Sequence, residues 1–155
     1  MSKRSAGILP YRCRDGAWEV LLTHPGGPFW AGRDTGAWSI AKGEYVAPES
    51  PLDAAIREFT EETGHRPSGP FRPLTPQRTK SGKLIEAWST YDDWDGSGFT
   101  SNTFSLEYPK GSGERQRFPE VDQVAWFELA TAMIKIHPSQ RGFVQELGEL
   151  LAHER

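Results

Sequence analysis

The chain has 155 residues, a length that suits one compact domain over residues 1–155 and leaves little room for a second. Its charged fraction of 25% and hydrophobic fraction of 36% are ordinary for a globular protein. The net charge of −3 provides no general attraction to nucleic acid or anionic lipid, so we expect neither a stable nucleic-acid partner nor a membrane. An anionic substrate would need local neutralisation, for which a divalent cation is the obvious candidate.

The cysteine content and the N-terminus bear on the compartment. The one cysteine, Cys13, cannot form an intrachain disulfide, so nothing in the sequence requires an oxidising compartment. The apolar stretch within residues 1–12 is too short for a signal sequence, and no segment approaches the length of a transmembrane helix. We therefore expect a cytoplasmic protein.

Three strands are predicted before the first helix, at residues 5–12, 18–23 and 37–40. Asp15-Gly16, between the first two, is a typical hairpin turn. A loop rich in glycine and proline, residues 24–36, follows the second strand and carries Phe29 and Trp30. The third strand precedes Lys42-Gly43, which we assign to a further loop.

The pattern over residues 51–63 predicts a helix more clearly than any other segment does. Ser50 suits the N-cap, Pro51 suits the first helical position, and Asp53 completes a weak capping box. Gly64 is a natural helix stop. The apolar residues at helical spacing form one stripe that should face the core: Leu52, Ala55, Ile56 and Phe59.

The second half of the chain alternates strands and helices. Extended segments are expected at residues 71–79, 83–91, 102–108 and 121–127, and helices at about 128–136 and 139–152. The strands and helices interleave, and the strands have hairpin-type connections. This arrangement predicts a mixed α/β domain rather than a doubly wound parallel sheet.

Three carboxylates lie on one side of the predicted helix. At the angular spacing of a helix, Glu58, Glu61 and Glu62 fall within an arc of roughly 100°, beside the apolar stripe. Carboxylates this close repel each other, and partial burial increases the repulsion. A hard divalent cation would remove it, and oxygen ligands suit Mg²⁺ or Mn²⁺. An isolated acidic helix face is more often solvated surface, but the neighbouring glycine loop and Arg57 favour a metal site.

These glutamates belong to a longer pattern, G-x5-E-x7-R-E-U-x-E-E-x-G-U, in which U is a bulky apolar residue. Its fixed positions are occupied by Gly43, Glu49, Arg57, Glu58, Phe59, Glu61, Glu62 and Gly64. The pattern resembles the Nudix box, and eight of its nine fixed positions agree within residues 43–65. The exception is His65, where an apolar residue is usual. Because His65 follows the helix stop, we expect it to affect packing more than chemistry.

The resemblance to the Nudix family covers most of the chain and implies a fold and a set of roles. The fold would be the Nudix-type α/β/α sandwich with a mixed β-sheet. Glu61 and Glu62 would be the principal metal ligands, and Glu58 a further ligand or the base that deprotonates water. Arg57, which we expect to face away from the centre of the glutamates, would pair with Glu49 and orient the loop and the helix.

The resemblance also implies roles for two residues outside the helix. The backbone carbonyl of Lys42 would join the metal coordination sphere, and its side chain could meet a substrate phosphate or simply be solvated. Glu120, six residues before Trp126, occupies the place from which some family members take another metal ligand. Asp122 and Glu114 are its competitors for that role.

The aromatic residues of the loop 24–36 are candidates for binding a nucleobase. Phe29 and Trp30 could pack over the sheet or stack on a base, and the sequence favours neither alternative. Outside this loop, we assign three tryptophans to the core: Trp18, Trp88 and Trp126. The four histidines have no zinc-site spacing, so a structural zinc ion is not expected.

The complete box predicts an Mg²⁺-dependent pyrophosphohydrolase, with Mn²⁺ as a substitute, that cuts a phosphoanhydride bond in a small nucleoside diphosphate derivative. A Nudix-fold sensor that binds a nucleotide without cutting it is the alternative, although such a module would be expected to lack box glutamates. An RNA-processing enzyme would need a basic groove. The chain offers only one modest basic run, Arg72, Arg78, Lys80 and Lys83. The oligomeric state is open, with a homodimer among the alternatives.

The residues that open the box bear on the substrate. Ala41-Lys42-Gly43 stands where many nucleotide-cleansing relatives have Pro-Gly-Gly. In the subgroup that has lysine before the glycine, a proline is usual at the position of Ala41. A lysine before this glycine resembles the box of the Nudix enzymes that cut diadenosine polyphosphates and diphosphoinositol polyphosphates. We expect dinucleoside polyphosphates, because a net charge of −3 does not obviously supply the dense set of Lys and Arg that inositol polyphosphates require. Phe29 and Trp30 could hold an adenine. ADP-ribose, nucleotide sugars and NTPs are the alternatives.

Overall fold

The computed structural model describes residues 3–154 of the chain. Its strands are β1 (Arg4–Arg14), β2 (Ala17–Pro25), β3 (Ala41–Glu44), β4 (Arg72–Pro73), β5 (Gln77–Arg78), β6 (Leu84–Tyr91), β7 (Thr103–Glu107), β8 (Arg115–Pro119) and β9 (Val121–Glu128). Its helices are α1 (Pro51–Thr63), α2 (Leu129–Lys135) and α3 (Arg141–His153), and a 3₁₀ turn (Pro138–Gln140) precedes α3.

Seven of these strands form one sheet, and β7 and β8 form a separate antiparallel ribbon. The order in the main sheet is β4-β6-β1-β2-β9, with β3 paired to β1 and β5 paired to β6. β1 and β6 run parallel, whereas the other pairs are antiparallel. The sheet is therefore mixed, as the sequence predicted.

Apolar residues cover both faces of the main sheet. One face packs against α2 and α3 through residues that include Ala132, Phe143 and Leu147, and the other packs against α1 through Ala55 and Phe59. Helices on both faces give the predicted α/β/α sandwich. Within residues 3–154, every helix is too short or too polar to cross a membrane.

Helix α1 begins and ends at the predicted residues. The Ser50 hydroxyl accepts a hydrogen bond from the Asp53 N–H at 3.2 Å, which caps the N-terminus. Gly64 ends the helix in the left-handed conformation, with φ of 80°, where a side chain would be strained. Local capping chemistry therefore determined both ends of the element that carries the glutamates.

The segment between β2 and α1 differs from the prediction. Residues 37–40 make only isolated bridges, to Thr23 and Ile136, and do not form a ladder strand. The strand begins instead at Ala41, which places Lys42-Gly43 in β3 beside β1 rather than in a loop. Pairing with a strand that is distant in sequence decides this, and no local pattern reports it.

Two further strand predictions were wrong in part. The predicted strand at 71–79 is divided into β4 and β5 by an irregular segment at 74–76, where Pro76 has no N–H to donate to a ladder. Strand β8 was not predicted. Its sequence, Arg-Gln-Arg-Phe-Pro, shows no alternation of apolar residues, and it pairs with β7 alone.

Candidate active site

Strand β3 brings Gly43 against the acidic side of α1. A Cβ atom at position 43 would overlap the carboxylate of Glu58. The carboxylate therefore packs directly on the strand backbone, and the Glu58 side chain is only 14% exposed. Glycine allows this close approach, because it has no side chain.

Glu62 is the most buried of the three helix glutamates, with 8% of the residue exposed. Burial, followed by the hydrogen bond and the charge of Glu58, raises the pKa of the Glu62 carboxyl to about 9. The charge of Glu120 raises this pKa further, whereas the Lys42 ammonium opposes the rise. The site therefore holds more carboxylate than the surrounding protein groups neutralise.

Arg57 forms a bidentate pair with Glu49, as the Nudix-box resemblance implied. Its Nε donates to Glu49 Oε2 at 2.8 Å and its Nη2 to Oε1 at 2.9 Å. The prediction that Arg57 faces away from the glutamates is wrong, because Nη1 also donates to Glu58 at 3.0 Å and to Glu61 at 3.3 Å. One guanidinium thus joins the loop to α1 and holds two of the three carboxylates.

A chain of backbone hydrogen bonds brings Glu120 to the last turns of α1. The Asn102 N–H donates to the Glu61 carbonyl at 2.8 Å, and the Glu120 N–H donates to the Asn102 carbonyl at 2.9 Å. The Gly26 N–H then donates to the Glu120 carbonyl at 2.9 Å. Burial and the charge of Glu58 raise the pKa of the Glu120 carboxyl, so its side chain lies within the field of the helix glutamates.

The structure distinguishes Glu120 from its two competitors. Asp122 contacts His24 instead, with its Oδ1 at 2.8 Å from Nδ1 of the imidazole. Glu114 lies in the exposed turn between β7 and β8, where its carbonyl accepts from the Tyr108 N–H. Of these three acidic residues, Glu120 is the one whose charge raises the pKa of Glu62.

Basic side chains from separate parts of the chain meet in one cleft. Its cations are Lys42, Arg78, Lys80 and Lys83, and its volume is about 740 Å³. We call it the cationic cleft. Four of the 18 Lys and Arg residues thus lie together in a chain of net charge −3. Three of the four belong to the basic run noted in the sequence, and the fold adds Lys42 to them, so the cleft has more local positive charge than the net charge indicates.

Lys42 lies between the cationic cleft and the carboxylates. Burial and the charge of Lys83 lower the pKa of Lys42, whereas the charges of Glu62, Glu44 and Glu58 raise it. The sequence did not indicate that Lys83 approaches Lys42. Strand β1 lies between β3 and β6, so Lys83 reaches the end of β3 and pairs with Glu44 at 2.9 Å.

The loop between β2 and β3 leaves Phe29 uncovered, with 66% of the residue exposed. Phe29 therefore does not pack over the sheet, whereas Trp30 is partly buried and has the Arg33 guanidinium 5.7 Å from its ring centroid. The start of the loop lies beside Glu120, because the Gly26 backbone packs on the Pro119 carbonyl. A side chain at position 26 would overlap that carbonyl.

His65 has the packing role that was predicted for it. Its ring stacks on Trp94 with the centroids 4.6 Å apart, and its Nε2 lies 2.8 Å from Asp92 Oδ2. It therefore joins the end of α1 to the segment that follows β6. The tryptophans assigned to the core, Trp18, Trp88 and Trp126, pack only at the margins of the two apolar clusters.

A family model described as the NUDIX domain matches residues 1–147. The chain belongs to the Nudix family. The matched region contains the box, the Glu120 loop and all four basic residues of the cationic cleft. A comparison with curated protein sequences found no match.

Solved structures share this Nudix fold at low sequence identity. The Caenorhabditis elegans Ap4A hydrolase, in a binary complex, is 21% identical, with a TM-score of 0.64 over 97% of this chain and 98% of that one. The NUDIX domain of Shewanella oneidensis NrtR, complexed with ADP ribose, is 15% identical, with a TM-score of 0.67 over 97% and 89%. A mutT/nudix family protein from Listeria innocua is 13% identical, with a TM-score of 0.64 over 98% and 95%. At these identities, the likeness shows the fold alone.

Family membership makes the chain a pyrophosphohydrolase of nucleoside diphosphate derivatives. Nudix hydrolases generally use divalent metal ions, and the carboxylates of Glu58, Glu61, Glu62 and Glu120 are the hard oxygen donors that such ions prefer. Within residues 3–154, no three acidic, histidine or cysteine side chains already converge as a metal site. The carboxylates of Glu58 and Glu61 contact Arg57 in this structure.

Glu120→Gln should lower kcat by at least roughly ten-fold, because it removes a charged oxygen donor beside the helix glutamates. Asp122→Asn should act mainly on stability through the contact with His24, and Glu114→Gln should change neither activity nor stability. Steady-state kinetics with Mg²⁺ and thermal melts of all three variants check this. If Glu114→Gln is the most damaging of the three, the extra acidic residue of the site has been wrongly assigned.

Proposed function

We propose that this Nudix protein is an Mg²⁺-dependent hydrolase of dinucleoside polyphosphates, with Mn²⁺ as a substitute. The observation that carries the proposal is the cationic cleft, which meets the carboxylate site at Lys42. A chain of several phosphates would occupy both regions at once, with the cleaved bond at the carboxylates and further phosphates beside the lysines. A mononucleotide would leave most of the cleft unused.

The residues of the chain divide the work of the reaction. Glu58, Glu61, Glu62, Glu120 and the carbonyl of Lys42 would hold the metal, which when bound lowers the pKa of water and screens the phosphate charge. Glu58 would be a ligand or the base that accepts the proton of the attacking water. Arg57 would orient these carboxylates through the contacts it makes with Glu58 and Glu61.

Phe29 and Trp30 would hold one adenine of the substrate. The exposure of Phe29 supports this role, because a large apolar side chain gains by stacking on a base when no part of the sheet covers it. The start of their loop lies beside Glu120 through the Gly26 hydrogen bond. An adenine held by this loop would leave the phosphates of the nucleotide free to extend toward the carboxylates.

Diphosphoinositol polyphosphates are a second candidate, and the cationic cleft favours them as well. The four basic side chains supply a local concentration of positive charge that an inositol polyphosphate would require. This candidate gives no role to Phe29. A Nudix-fold sensor is a weaker alternative, because the box glutamates are all present.

A substrate panel tests the proposal. At equal concentration with Mg²⁺, the protein should hydrolyse diadenosine tetraphosphate faster than ADP-ribose, a nucleotide sugar, an NTP or a diphosphoinositol pentakisphosphate, with products identified by chromatography. Faster hydrolysis of ADP-ribose or the nucleotide sugar would contradict the substrate class and leave the family assignment intact. No hydrolysis of any compound would favour the sensor.

One variant tests the cationic cleft, a second is its control, and a third separates the two polyphosphate candidates. Lys83→Met should raise KM for both by weakening the cationic cleft, whereas Lys110→Met, in the exposed turn between β7 and β8, should change neither. Phe29→Ala should raise KM for diadenosine tetraphosphate alone. An equal effect of Phe29→Ala on both compounds would contradict the stacking role.

A further inference from the structure

A second wall of the cationic cleft contains neither Lys nor Arg. It consists of residues 137–140, which lie between α2 and α3 and line the same cleft as Lys42 and Lys83. The polar groups of this wall are an imidazole, a hydroxyl and an amide. None of them belongs to the Nudix box, which lies more than seventy residues earlier in the chain.

A buried amide joins this wall to the segment just before β3. Gln140 is 3% exposed, and its Oε1 accepts from the Ile40 N–H at 3.0 Å. Its Nε2 donates to the Ser39 hydroxyl at 3.0 Å. The His137 N–H also donates to the Trp38 carbonyl at 2.8 Å. Because Ile40 is two residues before Lys42, these bonds join the backbone at His137 to the segment that leads into Lys42.

The hydrogen bonds of His137 determine which of its ring nitrogens carries the proton. Its Nδ1 accepts from the Ser139 N–H at 3.1 Å, which caps the 3₁₀ turn, and lies 2.8 Å from the Ser139 hydroxyl, which can also donate to it. A backbone N–H can only donate, so Nδ1 must be the unprotonated nitrogen and Nε2 carries the hydrogen. Among residues 3–154, no protein group accepts a hydrogen bond from this Nε2–H. The imidazole thus offers a neutral donor at a wall of the cationic cleft.

We propose that His137 is a substrate-binding residue whose Nε2–H donates to a phosphate oxygen of the polyphosphate chain in the cationic cleft. The lysines and arginine attract the chain by charge, which has no preferred direction. The imidazole donor adds direction, because its hydrogen bond is strong only near linear geometry. This inference rests on the proposed function only in assigning a polyphosphate to the cleft. It extends that function to a residue outside the family's box.

The test uses substitutions that separate capping from donation. His137→Asn keeps an oxygen that can cap the turn but is too short to replace the Nε2–H donor. His137→Gln keeps an N–H at about the reach of Nε2. His153→Asn, at the exposed end of α3, is the matched control outside the cleft. Binding of inorganic tripolyphosphate to the full chain is measured by titration calorimetry, together with thermal melts and diadenosine tetraphosphate kinetics.

His137→Asn should weaken tripolyphosphate binding by roughly ten-fold at an unchanged melting temperature, with KM raised and kcat nearly unchanged. His137→Gln should recover part of the loss, and His153→Asn should bind like the wild type. Equal binding by wild type and His137→Asn overturns the inference, as does a wild type that does not bind tripolyphosphate. Tripolyphosphate contains no nucleoside, so its binding tests the inference independently of the proposed substrate. If diadenosine tetraphosphate is not hydrolysed, that result contradicts the proposed function and not the inference.

Discussion

Glu61→Gln and Glu62→Gln should each lower kcat by about two to three orders of magnitude while the protein stays folded. Each change removes a charged oxygen donor and keeps the size and polarity of the side chain. Glu62 is buried beside Glu58 and its raised pKa, about 9, keeps its carboxyl protonated near pH 7 without a metal ion, so an uncharged amide at position 62 should not lower the melting temperature. Glu61 is more exposed, at 41% of its side chain, and its loss should affect stability little.

Steady-state kinetics, calorimetric titration with Mg²⁺ and thermal melts measure these effects together. Glu149→Gln is a matched control, because Glu149 is an exposed glutamate of α3 outside the site. It should retain wild-type kinetics and metal affinity. Wild-type activity in both helix variants, or full activity of the wild type in excess EDTA, would rule out the assignment of the metal to these carboxylates.

Gly43→Ala should lower kcat by about a hundred-fold, because it should displace the unaltered carboxylate of Glu58. The added methyl group would occupy the space of the Glu58 carboxylate. The overlapping atoms are the mobile end of a side chain rather than backbone, so the fold should persist while Glu58 moves. Kinetics and thermal melts of the variant check both parts.

Two comparisons make the Gly43 result specific. Gly148→Ala places a methyl group in α3 at 3.4 Å from Leu129, where alanine favours the helix, so activity should be unchanged. The double variant Gly43→Ala/Glu58→Gln should be little worse than Glu58→Gln alone, because both changes act on one carboxylate. Independent, multiplying losses in the double variant would show that Gly43 acts by another route.

Local patterns were sufficient to predict the element that carries the chemistry. Ser50, Pro51 and Gly64 determine where α1 starts and stops by satisfying or blocking backbone groups, and these interactions involve neighbours in sequence. The spacing of Glu58, Glu61 and Glu62 determines that they share a helix side. The pairing of Arg57 with Glu49 also followed from the box pattern.

Strand pairing over long sequence separations decided what local patterns could not. Lys42 lies in a strand rather than a loop because β3 pairs with β1, more than thirty residues earlier in the chain. Its proximity to Lys83 follows from the parallel pairing of β1 with β6. The position of Glu120 in the sequence was enough to rank it first as the extra metal ligand. Its proximity to Glu58 depends on the backbone hydrogen bonds of Asn102.

The sequence by itself determined the family and the glutamate-bearing helix, because these depend on residue type and short spacing. The tertiary structure alone decided that Arg57 contacts Glu58 and Glu61, that Phe29 is uncovered, and that His137 faces the cationic cleft. Composition reports how much charge a chain carries, whereas only packing decides which charges become neighbours. Electrostatic interactions depend on distance in space, and for residues far apart in sequence the fold sets that distance.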